Sequence, residues 1–208
     1  KDGGRFIEKL IASIVGLKFP FEHIVVEGGS TDNTREILER YSHLKVIEQE
    51  KSAGMYAAID QGFALAKGKY VTWINADDWV LPRGYERLYA LIAENEYDLV
   101  YGGGRYYYLD NQNYVDFKSK PCGKFLFRNG VFPCLQPSTM YRKDLVDKVG
   151  GLNFEEFKIA GDVDFFTRYA QAASKPFGRV REPCVVFLKY GESLGDRSHQ
   201  LYLSEKEN

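Results

Sequence analysis

The sequence predicts an α/β domain, a mostly parallel central sheet flanked by helices, and three observations lead there. Helix-like and strand-like segments alternate strictly from Phe6 to Ile74. The connections between them are short, and right-handed crossovers then set successive strands parallel. Tyr70 to Ile74 is apolar enough to be a central strand of such a sheet.

Each element has its own warrant. Phe6, Leu10, Ile11, Ile14 and Val15 recur at helical spacing, so residues 5–18 read as an amphipathic helix that Pro20 stops. His23-Ile24-Val25-Val26-Glu27 is a short β-branched strand. Gly28-Gly29-Ser30-Thr31-Asp32 is a turn whose hydroxyls and carboxylate can cap the next helix, 33–42, with Ile37, Leu38 and Tyr41 on one side. Lys45-Val46-Ile47-Glu48 is a second strand, and Met55, Ile59, Phe63 and Ala66 mark a helix from Gly54 to Lys67, ended by Gly68. After the strand Tyr70–Ile74 come a helix at 84–95 and a strand at 98–101. The pattern then changes. Residues 105–118 read as a hairpin around Asp110-Asn111-Gln112-Asn113, and 119–137, with Pro121, Pro133 and Pro137, as an irregular functional loop. Helices at 142–148 and 163–173 and a strand at 183–189 complete the chain, with 194–208 a loose polar tail.

Composition narrows the function. The 208 residues carry 28 Lys+Arg against 29 Asp+Glu, a net charge of −1, with 44% hydrophobic and 27% charged residues, the profile of a single soluble domain. No basic excess exists to neutralise a row of phosphates, which argues against a nucleic-acid partner. No run approaches the roughly 18 apolar residues a membrane-spanning helix needs, and no signal-peptide pattern opens the chain, so a cytoplasmic setting is expected. Cys122, Cys134 and Cys184 are too scattered for a zinc cluster or a disulfide framework, and His23, His43 and His199 lack ligand spacing. Gly102-Gly103-Gly104 matches neither a dinucleotide fingerprint nor a phosphate loop. Tyr106, Tyr107 and Tyr108 read as strand packing.

In an open α/β sheet ligands bind beyond the carboxyl ends of the strands. Glu27 falls there, and so does Asn75-Ala76-Asp77-Asp78. Two adjacent carboxylates and an amide are hard oxygen ligands for Mg²⁺ or Mn²⁺, and so small a protein set leaves positions for water and a diphosphate. The competing reading is that Asp77 and Asp78 cap a turn or the following helix. A third cluster, Asp162-Val163-Asp164-Phe165-Phe166-Thr167-Arg168, opens a helix, where capping is again an alternative.

The three clusters in order carry a resemblance. Val25-Val26-Glu27-Gly28-Gly29-Ser30-Thr31-Asp32, then Ile74-Asn75-Ala76-Asp77-Asp78 with Pro82, then Ala160-Gly161-Asp162 with Arg168, resemble the family-2 glycosyltransferases of GT-A fold. Gly54-Met55-Tyr56 to Gly62, Ala66-Lys67-Gly68-Lys69-Tyr70 and Gln136-Pro137-Ser138-Thr139-Met140-Tyr141-Arg142 before Gly150-Gly151 extend it over about residues 5–193. It implies a Rossmann-like GT-A domain with a small acceptor-side lobe: 1–101 as the nucleotide-sugar half and 102–193 as the acceptor-side half. It implies, further, an inverting transfer of a sugar from a nucleotide-diphosphate donor to a hydroxyl of a glycan or glycolipid. Glu27, Gly54, Asn75 and Asp77 would contact the nucleotide, Asp77 and Asp78 would hold Mn²⁺ or Mg²⁺, and Asp162 would be the base. Gln136 and Arg168 would meet the acceptor or its loop. A setting in surface polysaccharide or glycolipid assembly, peripheral at the inner membrane face, follows from the same resemblance.

Three departures stand beside it. Gly28 occupies a place that is acidic in many relatives, and Gly161-Asp162 replaces a Glu-Asp pair. Relatives also begin with a strand and loop that help hold the base, so a segment ahead of Lys1 is expected. Two rival readings are a degenerate GT-A binding module without turnover and a nucleotidyltransferase. The acidic residues oppose the first; the lack of a Gly-rich basic phosphate loop opposes the second.

Overall fold

Helix α1 (Ile7–Val15) turns Ile7, Leu10, Ile11 and Ile14 inward, as its apolar spacing requires, while Val15 lies outside at 54% exposure. Strand β1 (His23–Glu27), helix α2 (Thr34–Glu39), strand β2 (Leu44–Glu48) and helix α3 (Gly54–Leu65) follow in the expected order. The computed structural model describes residues 1–49, 54–191 and 205. The expected tail at 194–208 therefore lies, apart from Glu205, outside the described residues. Then come β3 (Tyr70–Val71), β4 (Trp79–Val80), α4 (Pro82–Glu94), β5 (Leu99–Tyr108), β6 (Asn113–Phe117), α5 (Gly123–Arg128), β7 (Thr139–Arg142), α6 (Lys143–Val149), α7 (Gly161–Ala172) and β8 (Phe177–Lys189).

The α/β class with flanking helices is what forms, but the sheet is mixed rather than mostly parallel. β1 and β2 pair parallel as a sheet of their own. The larger sheet runs β3-β7-β5-β8-β4, with β6 added to β5. Within it only β5 and β8 are parallel; β3·β7, β5·β7, β4·β8 and β5·β6 are antiparallel. The crossover argument is right about direction, because β3 and β5 both oppose β7 and so point the same way. It misses β7, a four-residue strand behind Pro137 that inserts between them.

The segment 119–137 also differs from the irregular loop expected. It contains α5, and a 3-10 turn at Gln136–Ser138 closes it. Phe127 of α5 is 1% exposed and stacks on Phe166 of α7. The Lys124 ammonium donates to the carbonyls of Ala173 and Lys175, at 2.7 and 3.0 Å. Two large cores result. An aromatic one, with Trp73, Tyr141, Phe165 and Tyr169, fills the side covered by α3, α5, α6 and α7; an aliphatic one lies beneath α1, α2 and α4. The 105–118 hairpin forms as read, Tyr108 pairing with Asn113 and Gly104 with Phe117.

Between the two sheets runs a cleft of about 1300 Å³, walled by β1 and by Tyr70–Ile74. The strand expected to reach Ile74 stops at Val71, where its pairing with β7 ends. The β1 residues His23 to Val26, a β-branched run suited to full burial, are only half-buried along this cleft.

Candidate active site

Glu27 ends β1, buried, at the wall of the cleft. Its carboxylate accepts the N–H groups of Gly29 and Ser30, at 3.0 and 2.7 Å, and pairs with Arg35 of α2 at 2.8 Å. Burial alone would raise its pKa. The hydrogen bonds from Ser30, Arg35 and Gly29 outweigh burial, and the carboxyl titrates below the usual range. Glu27 thus shapes the turn after β1 as an anion. Gly54, the first residue of α3, faces the same cleft, and the Gln49 amide donates to its carbonyl at 2.6 Å.

The acidic loop after β3 is a tight turn in which the Asp78 N–H donates to the Asn75 carbonyl at 3.1 Å. Asp78 is 2% exposed; its Oδ1 accepts the Leu188 N–H at 3.0 Å, and its Oδ2 is buried with no hydrogen-bond partner. Asp77, beside it, accepts the Tyr190 hydroxyl at 3.2 Å. Burial raises both pKa values, and the neighbouring Asp77 charge raises Asp78 further. An orphaned carboxylate oxygen next to a second carboxylate suits a cation, because a buried anion without a partner is costly. Among the described residues no cluster of three or more His, Cys, Asp or Glu could hold a metal by itself. A cation here would take few protein ligands. Gln136 stands at the same strand end, its amide donating to the Trp73 carbonyl at 3.1 Å.

Asp162 lies in the first turn of α7 and is half-buried. Its Oδ1 accepts the Val163 N–H at 2.9 Å, and the Tyr56 hydroxyl oxygen is 3.4 Å away. Desolvation pushes its pKa up to about 6. That value suits a general base, which needs appreciable basicity and a charged form at neutral pH.

One helical turn joins the Glu27 end of the cleft to Asp162. Gly54 and Met55 line the cleft that holds Glu27, and the next residue, Tyr56, reaches Asp162. Arg168 is engaged elsewhere: its guanidinium forks onto Asp164 and donates to the carbonyls of Val149 and Gly151, at 2.6 and 2.8 Å. It borders a separate pocket of about 370 Å³ with Leu152 and Glu155. Sequence reasoning gave no role to Arg35, Tyr190 or Tyr56. Arg35 sits eight residues from Glu27 on the next helix, a basic side chain that its spacing could have suggested; for Tyr190 no local signal exists. His23 is half-buried beside His43, and desolvation of its ring holds its pKa down at about 4.

Streptococcus pneumoniae glycosyltransferase GlyG is 26% identical over 175 residues, covering 74% of this chain and 58% of its own length. A PGL/p-HBAD biosynthesis glycosyltransferase of Mycobacterium bovis is 29% identical over 181 residues, covering 84% of this chain and 67% of its own. The crystal structure of S. aureus TarS 1–349 in complex with UDP-GlcNAc superposes with a TM-score of 0.73 at 20% identity, covering 90% of this chain and 56% of that one. The chain thus spans little more than half the length of GlyG and of that TarS structure. Residues 3–150 match the description "Glycosyl transferase family 2", so the cleft, the acidic turn and most of the sheet fall inside the matched region, and the chain belongs to that family.

Proposed function

We propose that this chain transfers a sugar, with inversion, from a nucleotide-diphosphate donor to a hydroxyl of a glycan or glycolipid. The observation that carries this reading is the buried, unpartnered Asp78 Oδ2 beside Asp77, in the turn that follows the Tyr70–Ile74 wall of the cleft. Glu27, Gly54 and Asn75 would border the base and ribose in the 1–101 half. Asp77 and Asp78 would hold Mn²⁺ or Mg²⁺, which when bound neutralises charge on the departing diphosphate. Asp162 removes the proton of the acceptor hydroxyl as that oxygen attacks the anomeric carbon from the face opposite the leaving group. Gln136, tied to the Trp73 carbonyl, would border the acceptor side. Arg168 would act there through the 149–151 loop it clamps.

The names of the relatives support the substrate class: one acts in PGL/p-HBAD biosynthesis, and TarS is described with UDP-GlcNAc. Assembly of a surface polysaccharide or glycolipid on the cytoplasmic side, peripheral to the membrane, is the setting that agrees with them. No helix among the described residues is long and apolar enough to cross a membrane.

The test is isothermal titration of UDP-, GDP- and dTDP-sugars with Mn²⁺ and again in EDTA, followed by nucleotide release with a hydroxyl acceptor. One nucleotide should bind, with at least about tenfold loss in EDTA, since the site has little positive charge of its own. Equal affinity in EDTA refutes the metal assignment. Binding without nucleotide release leaves a binding module and refutes the transfer.

A further inference from the structure

Tyr56, in the first turn of α3, is 4% exposed and lies against the backbone of Gly161. A Cβ at Gly161 would stand 2.8 Å from the ring atoms Cδ2 and Cε2, so the ring occupies space that any larger residue there would need. The Tyr56 hydroxyl faces two oxygens of the turn that opens α7: the Ile159 carbonyl at 2.6 Å and Asp162 Oδ1 at 3.4 Å. A phenol carries one proton and two lone pairs. A carbonyl oxygen has no proton to give, so the short contact commits the phenolic proton to Ile159. What remains toward Asp162 is a lone pair. An ionised carboxylate gains nothing from it, whereas a protonated one can donate a hydrogen bond to it.

Resting on the reading of Asp162 as the base, we propose that Tyr56 is a positioning residue that receives a hydrogen bond from Asp162 once Asp162 has taken the acceptor's proton. The acceptor O–H bond breaks and its proton passes to an Asp162 carboxylate oxygen. The electron pair left on the acceptor oxygen forms the bond to the anomeric carbon. The bond from that carbon to the diphosphate oxygen breaks, its pair leaving with the diphosphate. The Tyr56 proton stays on its own phenolic oxygen, hydrogen-bonded to the Ile159 carbonyl, throughout.

The surroundings leave this contact a role of its own. Glu205 holds the far side of the same turn, accepting the N–H groups of Lys158, Ile159 and Ala160, and its charge acts on Tyr56. The Lys158 ammonium is turned to the Phe154 carbonyl. Asp164, on the helix of Asp162, is paired with Arg168. Val163 donates its N–H to Asp162 and favours the ionised form; with its proton directed to Ile159, the Tyr56 hydroxyl offers Asp162 a lone pair.

The experiment is a carbon-13 carboxyl NMR titration of the whole 208-residue chain, with the Asp162 resonance assigned by its loss in Asp162→Asn. Tyr56→Phe keeps the ring and removes the oxygen. The Asp162 midpoint should fall by roughly 0.3–1 pH unit, the scale of one neutral hydrogen bond to the protonated form. An unchanged midpoint overturns the proposal, as does a rise, which would mean that the hydroxyl donates to the carboxylate. If circular dichroism shows that Tyr56→Phe does not fold, Tyr56→Leu gives the same readout, because it likewise removes the oxygen and leaves the turn that carries Asp162 unchanged. No donor is needed, so this outcome is separate from the base assignment, which fails instead if Asp162→Asn retains nucleotide release.

Discussion

As the proposed base, Asp162 has two demands on it: to be ionised, so that it can take a proton, and to sit among protein atoms that disfavour the charge. Its pKa is near 3.8 without the fold and about 6 within it. The folded state therefore binds the proton more tightly, and stability falls as pH rises through the window from about 4 to 6. Above that window the cost is fully present, of order 3 kcal/mol. Asp162→Asn keeps an oxygen for the Val163 N–H and removes the charge. It should raise the melting temperature at pH 7.5, with the gain vanishing below about pH 4, while turnover drops roughly 10²–10⁴-fold. Thermal melts across pH check the first part, and a melting temperature unchanged at neutral pH contradicts it. In the wild-type chain the same group should set an acid limb of activity near pH 6. At this scale the carboxylates were legible because each follows a strand or opens a helix. Tyr56 was not, because its partner Asp162 is 106 residues away and only the fold brings them together.

Elements were legible where a local period existed and hidden where pairing decided. α1, α2, α3 and α4 follow from apolar spacing, and the β1 strand from a β-branched run. β7 has four residues and no period; it is a strand because β3 and β5 receive it on either side. α5 was hidden between prolines and is held by Phe127 in the aromatic core. The contact of α4 with β8 is another such feature. Gly84 lies in the first turn of α4, and a Cβ there would stand 2.2 Å from the Pro183 carbonyl oxygen and 2.8 Å from the Cys184 Cα. Backbone cannot rotate aside as a side chain can. Gly84→Ala should therefore push α4 off the sheet and destabilise the chain by about 3 kcal/mol, read as a lower urea midpoint. A midpoint within error of wild type would mean that the helix shifts without cost.

For the whole molecule, the alternation of elements made the α/β class legible, and the division into two sheets was not. Nothing in a run such as His23–Glu27 says which strand it will pair with. Stability should follow that division. β5 is flanked by paired strands and its residues Leu99 to Gly104 are buried, whereas β1 belongs to a two-stranded sheet whose residues are mostly half-buried. Two-stranded sheets have little stability of their own. Amide hydrogen exchange should run at least about 10²-fold faster in β1 than at Leu99–Tyr101, and comparable rates would show that the two sheets open as one unit. The acidic turn between these regions has one more property. The chain contains two tryptophans, and they bracket it: Trp73 is stacked on Phe166 in the aromatic core, and Trp79 lies 3.3 Å beneath the Lys9 ammonium. Indole emission shifts with the polarity and field around the ring. Both indoles thus stand within four residues of Asp77 or Asp78, so a cation or a diphosphate bound there, as proposed, should change the tryptophan emission of the unlabelled chain.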